Sequence, residues 1–163
     1  MVFSDGAKLR IAVPIVAPEY GGEQIAYDGT TTGVGKNTAG KRSILGEFLV
    51  LHGAVLKEGL FGGTMTIGWP LLKLSERQPT LEYKGLTKGE GTQYHVLAYR
   101  MKKGQGDCKI ELYFDPDTFR HVRTEYSTTL QPTAAALAPG FLGGVQEQTT
   151  RLKVAESFTN FEL

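Results

Sequence analysis

The chain holds a single cysteine, Cys108. One thiol excludes an intramolecular disulfide framework and any zinc site built on cysteines. Charge of one sign is missing too: 18 lysines and arginines stand against 17 acidic residues, for a formal net charge of +1. Dedicated nucleic-acid binders carry a basic excess on one face, so no nucleic-acid partner is expected. No apolar run approaches the roughly 18–20 residues of a membrane-crossing helix, so no membrane span is expected either. Met1-Val2-Phe3-Ser4-Asp5 lacks the basic stretch followed by an apolar run that marks an export signal, and the chain as it stands is expected to be soluble. The three histidines, His52, His95 and His121, are scattered. No two stand at a ligand spacing such as i, i+4 on a helix or i, i+2 on a strand, so neither a metal nor another cofactor is expected.

What is present suits one globular domain, residues 1–163, with apolar residues at 40% and charged residues at 21%. The 21 glycines lean toward turns and bulges rather than long helices. Residues 8–16 alternate, with Leu9, Ile11, Val13 and Ile15 on one side. This predicts a half-buried strand, and Pro14 predicts that it lies at a sheet edge. Residues 23–27 read as a strand closed by an Asp28-Gly29 turn, with residues 30–35 as its hairpin partner. Residues 43–59 change to helical spacing through Ile44, Leu45, Phe48, Leu49, Leu51, Val55 and Leu56. Ser43 as N-cap, and Gly53 and Gly59 as terminal glycines, predict two short helices. Trp69-Pro70 opens another brief helical or irregular piece.

From residue 80 the pattern becomes β, with strands expected at 80–86, 93–101, 109–114, 119–130 and 146–155. The first three joints are short, which forces antiparallel neighbours and a meander. Asp115-Pro116-Asp117-Thr118 suits a type I turn, because proline presets the backbone and the first aspartate can bond the amides beyond it. The fourth joint, residues 131–145, is rich in alanine, glycine and proline and reads as a loop or lid. The fold class expected is mainly β (α+β): a curved antiparallel sheet or unclosed β-barrel with short helices packed in its mouth.

Candidate chemistry is sparse. Gly35-Lys36-Asn37-Thr38-Ala39-Gly40-Lys41 copies the spacing of a phosphate-binding P-loop, but Arg42 stands where that loop needs Ser or Thr for Mg²⁺. The preceding Thr30-Thr31-Thr32-Gly33-Val34 is also too polar for a buried parallel strand. Cys108 lacks an evident base and reads as structural. Asp115 and Asp117, with Glu111 nearby, could pair as acid and base, yet the turn explains both aspartates. No catalytic constellation emerges, and a non-enzyme is expected.

The helical segment is the more informative one. Its apolar side chains either cap the sheet and complete the core, or close the mouth of a curved sheet and line an apolar cavity. In the second reading the lining residues are Leu45, Phe48, Leu49, Leu56, Leu60, Phe61 and Trp69, with Gly59, Gly62 and Gly63 letting the lid move.

Two runs carry a resemblance. One is Arg42-Ser43-Ile44-Leu45-Gly46-Glu47-Phe48-Leu49, continued by Lys57-Glu58-Gly59-Leu60-Phe61-Gly62-Gly63 and Trp69-Pro70-Leu71-Leu72. The other runs from Leu112-Tyr113-Phe114 through Asp115-Pro116-Asp117-Thr118 to Glu125-Tyr126. In this order, over about residues 5–163, the chain resembles the LolA/LolB-like group of outer-membrane lipoprotein-sorting proteins, in their acidobacterial form. The resemblance implies an unclosed barrel holding lipid or lipoprotein acyl chains, a periplasmic or cell-envelope location, and a protein partner in the envelope. It also implies a longer protein, of which this chain is a portion truncated at both ends. The arginine that lipoprotein carriers place inside the cavity has no matching motif here, so no residue is assigned that role. The expected function is non-enzymatic carriage of a lipid or lipoprotein acyl chain. The alternative is a structural or protein-interaction module of the same fold with a filled interior.

Overall fold

The computed structural model describes residues 2–5, 8–13, 22–36, 42–63, 68–89, 91–104, 106–130 and 150–158. The fold is mainly β, antiparallel and unclosed, as the alternation implied, and its strands divide into two sheets. The first holds β1 (Val2–Asp5), β2 (Lys8–Val13), β3 (Glu23–Tyr27) and β4 (Thr32–Lys36) in that order. Then come α1 (Ile44–Leu51), α2 (Ala54–Glu58), a 3-10 turn (Pro70–Lys73) and α3 (Leu74–Arg77). The second sheet is the expected meander, β5 (Thr80–Gly89), β6 (Thr92–Arg100), β7 (Lys109–Phe114), β8 (His121–Leu130) and β9 (Thr150–Ser157). The segments 37–41 and 131–145, read above as a basic turn and a loop or lid, lie outside the described residues.

One expectation is corrected. β2 is not an edge strand, because it pairs with β1 on one side and β3 on the other. Its last described pair is Val13 with Glu23, and Pro14 lies outside the described residues. β4 pairs antiparallel with β3. That is not the parallel strand a P-loop follows.

The turns behave as their residues dictate. Asp28 Oδ1 accepts from the amides of Thr30 and Thr31 at 2.8 and 2.7 Å. Asp115 Oδ1 accepts from the amides of Asp117 and Thr118 at 3.1 and 2.8 Å. These amide bonds hold both carboxyls below their ordinary value. The Asp115 carboxylate is thus occupied with the turn, to which Asp117 contributes its amide. The turn ends on Phe119, whose φ of 54° is unusual for a non-glycine residue.

Helix α1 is tied to the first sheet by a buried carboxylate. Ser43 caps it, accepting from Gly46 N at 2.9 Å. Ser43 in turn donates its amide (3.0 Å) and its hydroxyl to Glu23, which is buried on β3. Gly46 is what admits this carboxylate: a Cβ there would lie 2.2 Å from Glu23 Oε2. Gly→Ala inside a helix normally gains about 1 kcal/mol. Here Gly46→Ala is expected to lose about 1–2 kcal/mol, because Glu23 must leave its partners while still buried. Urea denaturation checks the sign, and a stabilised variant would contradict this packing.

One contiguous core joins the layers. Leu9, Ile11, Ile25 and Tyr27 of the first sheet, the apolar faces of α1 and α2, and Tyr99, Ile110, Leu112 and Tyr126 of the second sheet all belong to it. The glycines after α2 serve this packing. Gly59 caps the helix at φ 82°, and a Cβ on it would lie 2.1 Å from Gly68 O. A Cβ on Gly63 would meet the rings of Phe158 and His121 at 2.8–2.9 Å.

Candidate functional site

The seven residues expected to line a cavity are brought together, as core. Phe48, Leu49 and Leu60 have 0% of their surface exposed, and Leu56, Phe61 and Trp69 are buried beside them. Leu45 is half-buried and packs on the same cluster. Phe61 stacks on Tyr126 at 5.1 Å and Phe48 leans on the same ring at 5.4 Å. A side chain with no accessible surface touches protein on every side. In this conformation it leaves no water-sized space for an occupant. Three clefts of described residues, beside α2, beside Asp107 and beside Tyr99, are lined by none of the seven.

The register of the second sheet shows where apolar surface remains open. Side chains opposite one another across an antiparallel sheet share a face. One row runs Leu81, Tyr99, Ile110, Tyr126, Val154. The next runs Tyr83, Leu97, Leu112, Thr124, Glu156. A third runs Leu86, His95, Phe114, His121. All three lie on the face that packs on the helices and first sheet. Each starts exposed on β5 and becomes buried toward β7 and β8. Tyr83 is 59% exposed and Leu86 54%, whereas Leu112 is 0% and His121 2%.

The helices therefore cover only part of this face, and the β5 side stands open. Phe119 extends the open part. It is 67% exposed and stacks on His95 at 5.1 Å with the rings 14° apart. Tyr83 Oη and His95 Nδ1 lie 2.6 Å apart, which joins β5 to β6 across the patch. A β-bulge between Tyr83 and Gly85 keeps Leu86 on the face that Leu81 and Tyr83 occupy. Sequence reasoning missed this site. Its signal was present in Leu81, Tyr83, Leu86, Leu97 and Phe119, but those positions read equally well as the inward side of any half-buried strand.

Where the covered part begins, a polar chain is buried. His121 Nε2 is 2.9 Å from Thr124 Oγ1. Tyr126 shares a hydrogen bond with Thr124 and donates to Glu156 Oε2 at 3.2 Å, and Glu156 Oε1 accepts from Gly62 N at 3.1 Å. Trp69, Phe158 and Phe114 surround His121, with ring centroids 4.5, 5.0 and 5.5 Å away. Burial lowers the His121 pKa to about 4 and raises that of Glu156 to about 7. The chain ties β9 to the loop after α2.

The other residues weighed from sequence are apart from one another. Cys108 is buried, which pushes its thiol up to about 12, the behaviour of an inert structural cysteine. His52 caps α1 against Phe48, His95 lies in the open patch, and His121 is in the core. Among the described residues no group of histidine, cysteine and carboxylate side chains could hold a metal, and no helix is long and apolar enough to cross a membrane. No protein-family model matches the chain, and neither a curated protein nor a solved structure matches it.

Proposed function

We propose that the chain is a non-enzymatic binding protein that takes an acyl chain, of a lipid or lipoprotein, against the open β5 side of the second sheet. The observation that carries the reading is the exposure gradient along the three rows. Leu81, Tyr83, Leu86 and Phe119 form an apolar patch continuous with the core and flanked by half-buried Leu97 and Phe114. Exposed apolar area of this continuity is uncommon on a protein that binds nothing. The patch carries few groups that would discriminate a polar ligand, which suits a long apolar one. The resemblance to lipoprotein-sorting proteins agrees with this ligand class and supports a place in the cell envelope. The seven buried or half-buried residues from Leu45 to Trp69 then act as the floor that holds the sheet in shape.

A second reading has its own observation. The complete burial of Phe48, Leu49 and Leu60 favours a filled interior, and the open patch would then seat an apolar segment of a partner protein. Mass spectrometry after denaturing extraction, with titration of a fluorescent fatty acid, separates the two. Co-purified lipid and saturable probe binding, weakened about ten-fold or more by Leu86→Glu, are expected for the acyl-chain reading. Absence of both lipid and probe binding would sink it and leave the module.

A further inference from the structure

A second site lies beyond the C-terminal end of β6. The β3–β4 turn, α2, α3 and the β6–β7 turn border an open cleft of about 550 Å³. That volume lies in the range of small-molecule sites. Four contacts assemble it. Gly104, at φ 77°, brings the β6–β7 turn so near α2 that a Cβ on it would lie 3.3 Å from Ala54 Cβ. Thr32 packs beside Gly53, its hydroxyl 3.8 Å from where a Cβ would stand. Arg77 Nη1 donates to Lys57 O at 3.1 Å, joining α3 to α2. Lys102 donates to Gln78, joining the β6–β7 turn to the end of α3.

The lining is cationic. Lys57, Arg77 and Lys103 face a single carboxylate, Glu58. Glu58 is already engaged: Tyr99 donates its hydroxyl to it and Arg77 lies 3.8 Å away. Among the described residues the ammonium groups of Lys57 and Lys103 join no ion pair. Two polar atoms of the lining residues, Arg77 Nε and Thr32 Oγ1, are buried without a hydrogen-bond partner among the described residues. Both atoms are sealed from the cleft, so the groups left to meet a ligand there are the two lysine ammoniums. Thr30 and Thr31 add hydroxyls on the same rim.

We propose that this cleft binds a phosphate monoester. A compact dianion matches two free ammonium groups, and its oxygens can also accept from the exposed hydroxyls of Thr30 and Thr31. The site is independent of the acyl-chain reading, since it lies on other residues and demands opposite chemistry.

The test is a ¹⁵N NMR titration of the full chain with inorganic phosphate and with glycerol phosphate. Saturable shifts confined to residues 30–32, 53–57 and 103–104 are expected. Lys57→Ala with Lys103→Ala, both exposed positions, is expected to weaken binding about ten-fold or more. Lys84→Ala with Lys88→Ala removes the same charge from β5 and is expected to leave affinity unchanged. Vesicles containing phosphatidic acid form the other arm. Competition by glycerol phosphate alone assigns a soluble ester, and capture by the vesicles that requires Lys57 and Lys103 assigns a lipid headgroup. Shifts that grow linearly over all basic residues, or a Lys57/Lys103 double variant that binds as the parent does, would overturn the proposal.

Discussion

Phe48→Ala is expected to cost about 3–5 kcal/mol of folding stability, while Tyr83→Ala and Leu86→Ala cost within about 0.5 kcal/mol. Phe48 has no exposed surface and lies between His52, Phe61 and Tyr126. Its removal leaves a cavity that the surrounding rings cannot collapse to fill. Tyr83 and Leu86 bury little, so truncation forfeits little in the folded protein. For acyl-chain binding the order reverses. The two β5 variants should weaken a fluorescent fatty acid, whereas Phe48→Ala should act only through the folded fraction. Urea denaturation and probe titration of the three variants measure both quantities. If Phe48→Ala abolishes binding while the protein stays folded, the ligand enters among the helices and the open patch is not its seat.

The second large effect concerns pH. Glu156 has its folded pKa raised from 4.5 to about 7 by burial. Between these values the folded state keeps a proton that the unfolded chain has released, so stability falls as pH rises from 4.5 to 7. His121 has its folded pKa lowered from 6.5 to about 4, also by burial. Between these values the unfolded chain holds the proton, so stability rises as pH rises from 4 to 6.5. Each effect amounts to roughly 3 kcal/mol, and over the shared window they oppose one another.

Neutralising one group should therefore unmask the other. Relative to the parent, Glu156→Gln is expected to gain stability progressively as pH rises from 4.5 to 7, by up to about 3 kcal/mol. His121→Phe, whose ring suits the aromatic surroundings, is expected to lose stability relative to the parent over pH 4 to 6.5. Differences from the parent isolate the two groups, because the lowered carboxyls of Asp28, Glu82, Asp107 and Asp115 titrate in all three proteins. Urea denaturation at pH 4 to 8 gives the curves. A constant offset between Glu156→Gln and the parent would mean that the carboxyl is not held protonated by its burial.

Local chemistry was legible in the residues themselves. Ser43 caps α1, Gly59 closes α2 in a left-handed conformation, and Asp28 and Asp115 organise their turns. The strand Lys109–Phe114 and the meander order followed from alternation and short joints. Each of these depends on a residue and its near neighbours, so the sequence carries them directly. The candidate site was legible only in kind. Apolar periodicity showed that Leu45, Phe48, Leu49, Leu56, Leu60, Phe61 and Trp69 share faces, but it is the same for a side chain that lines a cavity and for one that fills it.

By itself, then, the sequence determined an antiparallel β protein with two short helices, a serine cap, and aspartates that bond their own turns. Only the tertiary structure decided which apolar face is spent and which is left. It set Phe48 and Phe61 against Tyr126, drew Thr124 and Glu156 into one buried row with Leu112, and left Leu81, Tyr83 and Leu86 at the uncovered side of the same face. It also gathered Thr32, Lys57, Arg77 and Lys103 around one cleft from four separate segments. The physical reason is range. Caps and turns are settled by bonds spanning a few residues, whereas exposure depends on how far the helices reach across a sheet.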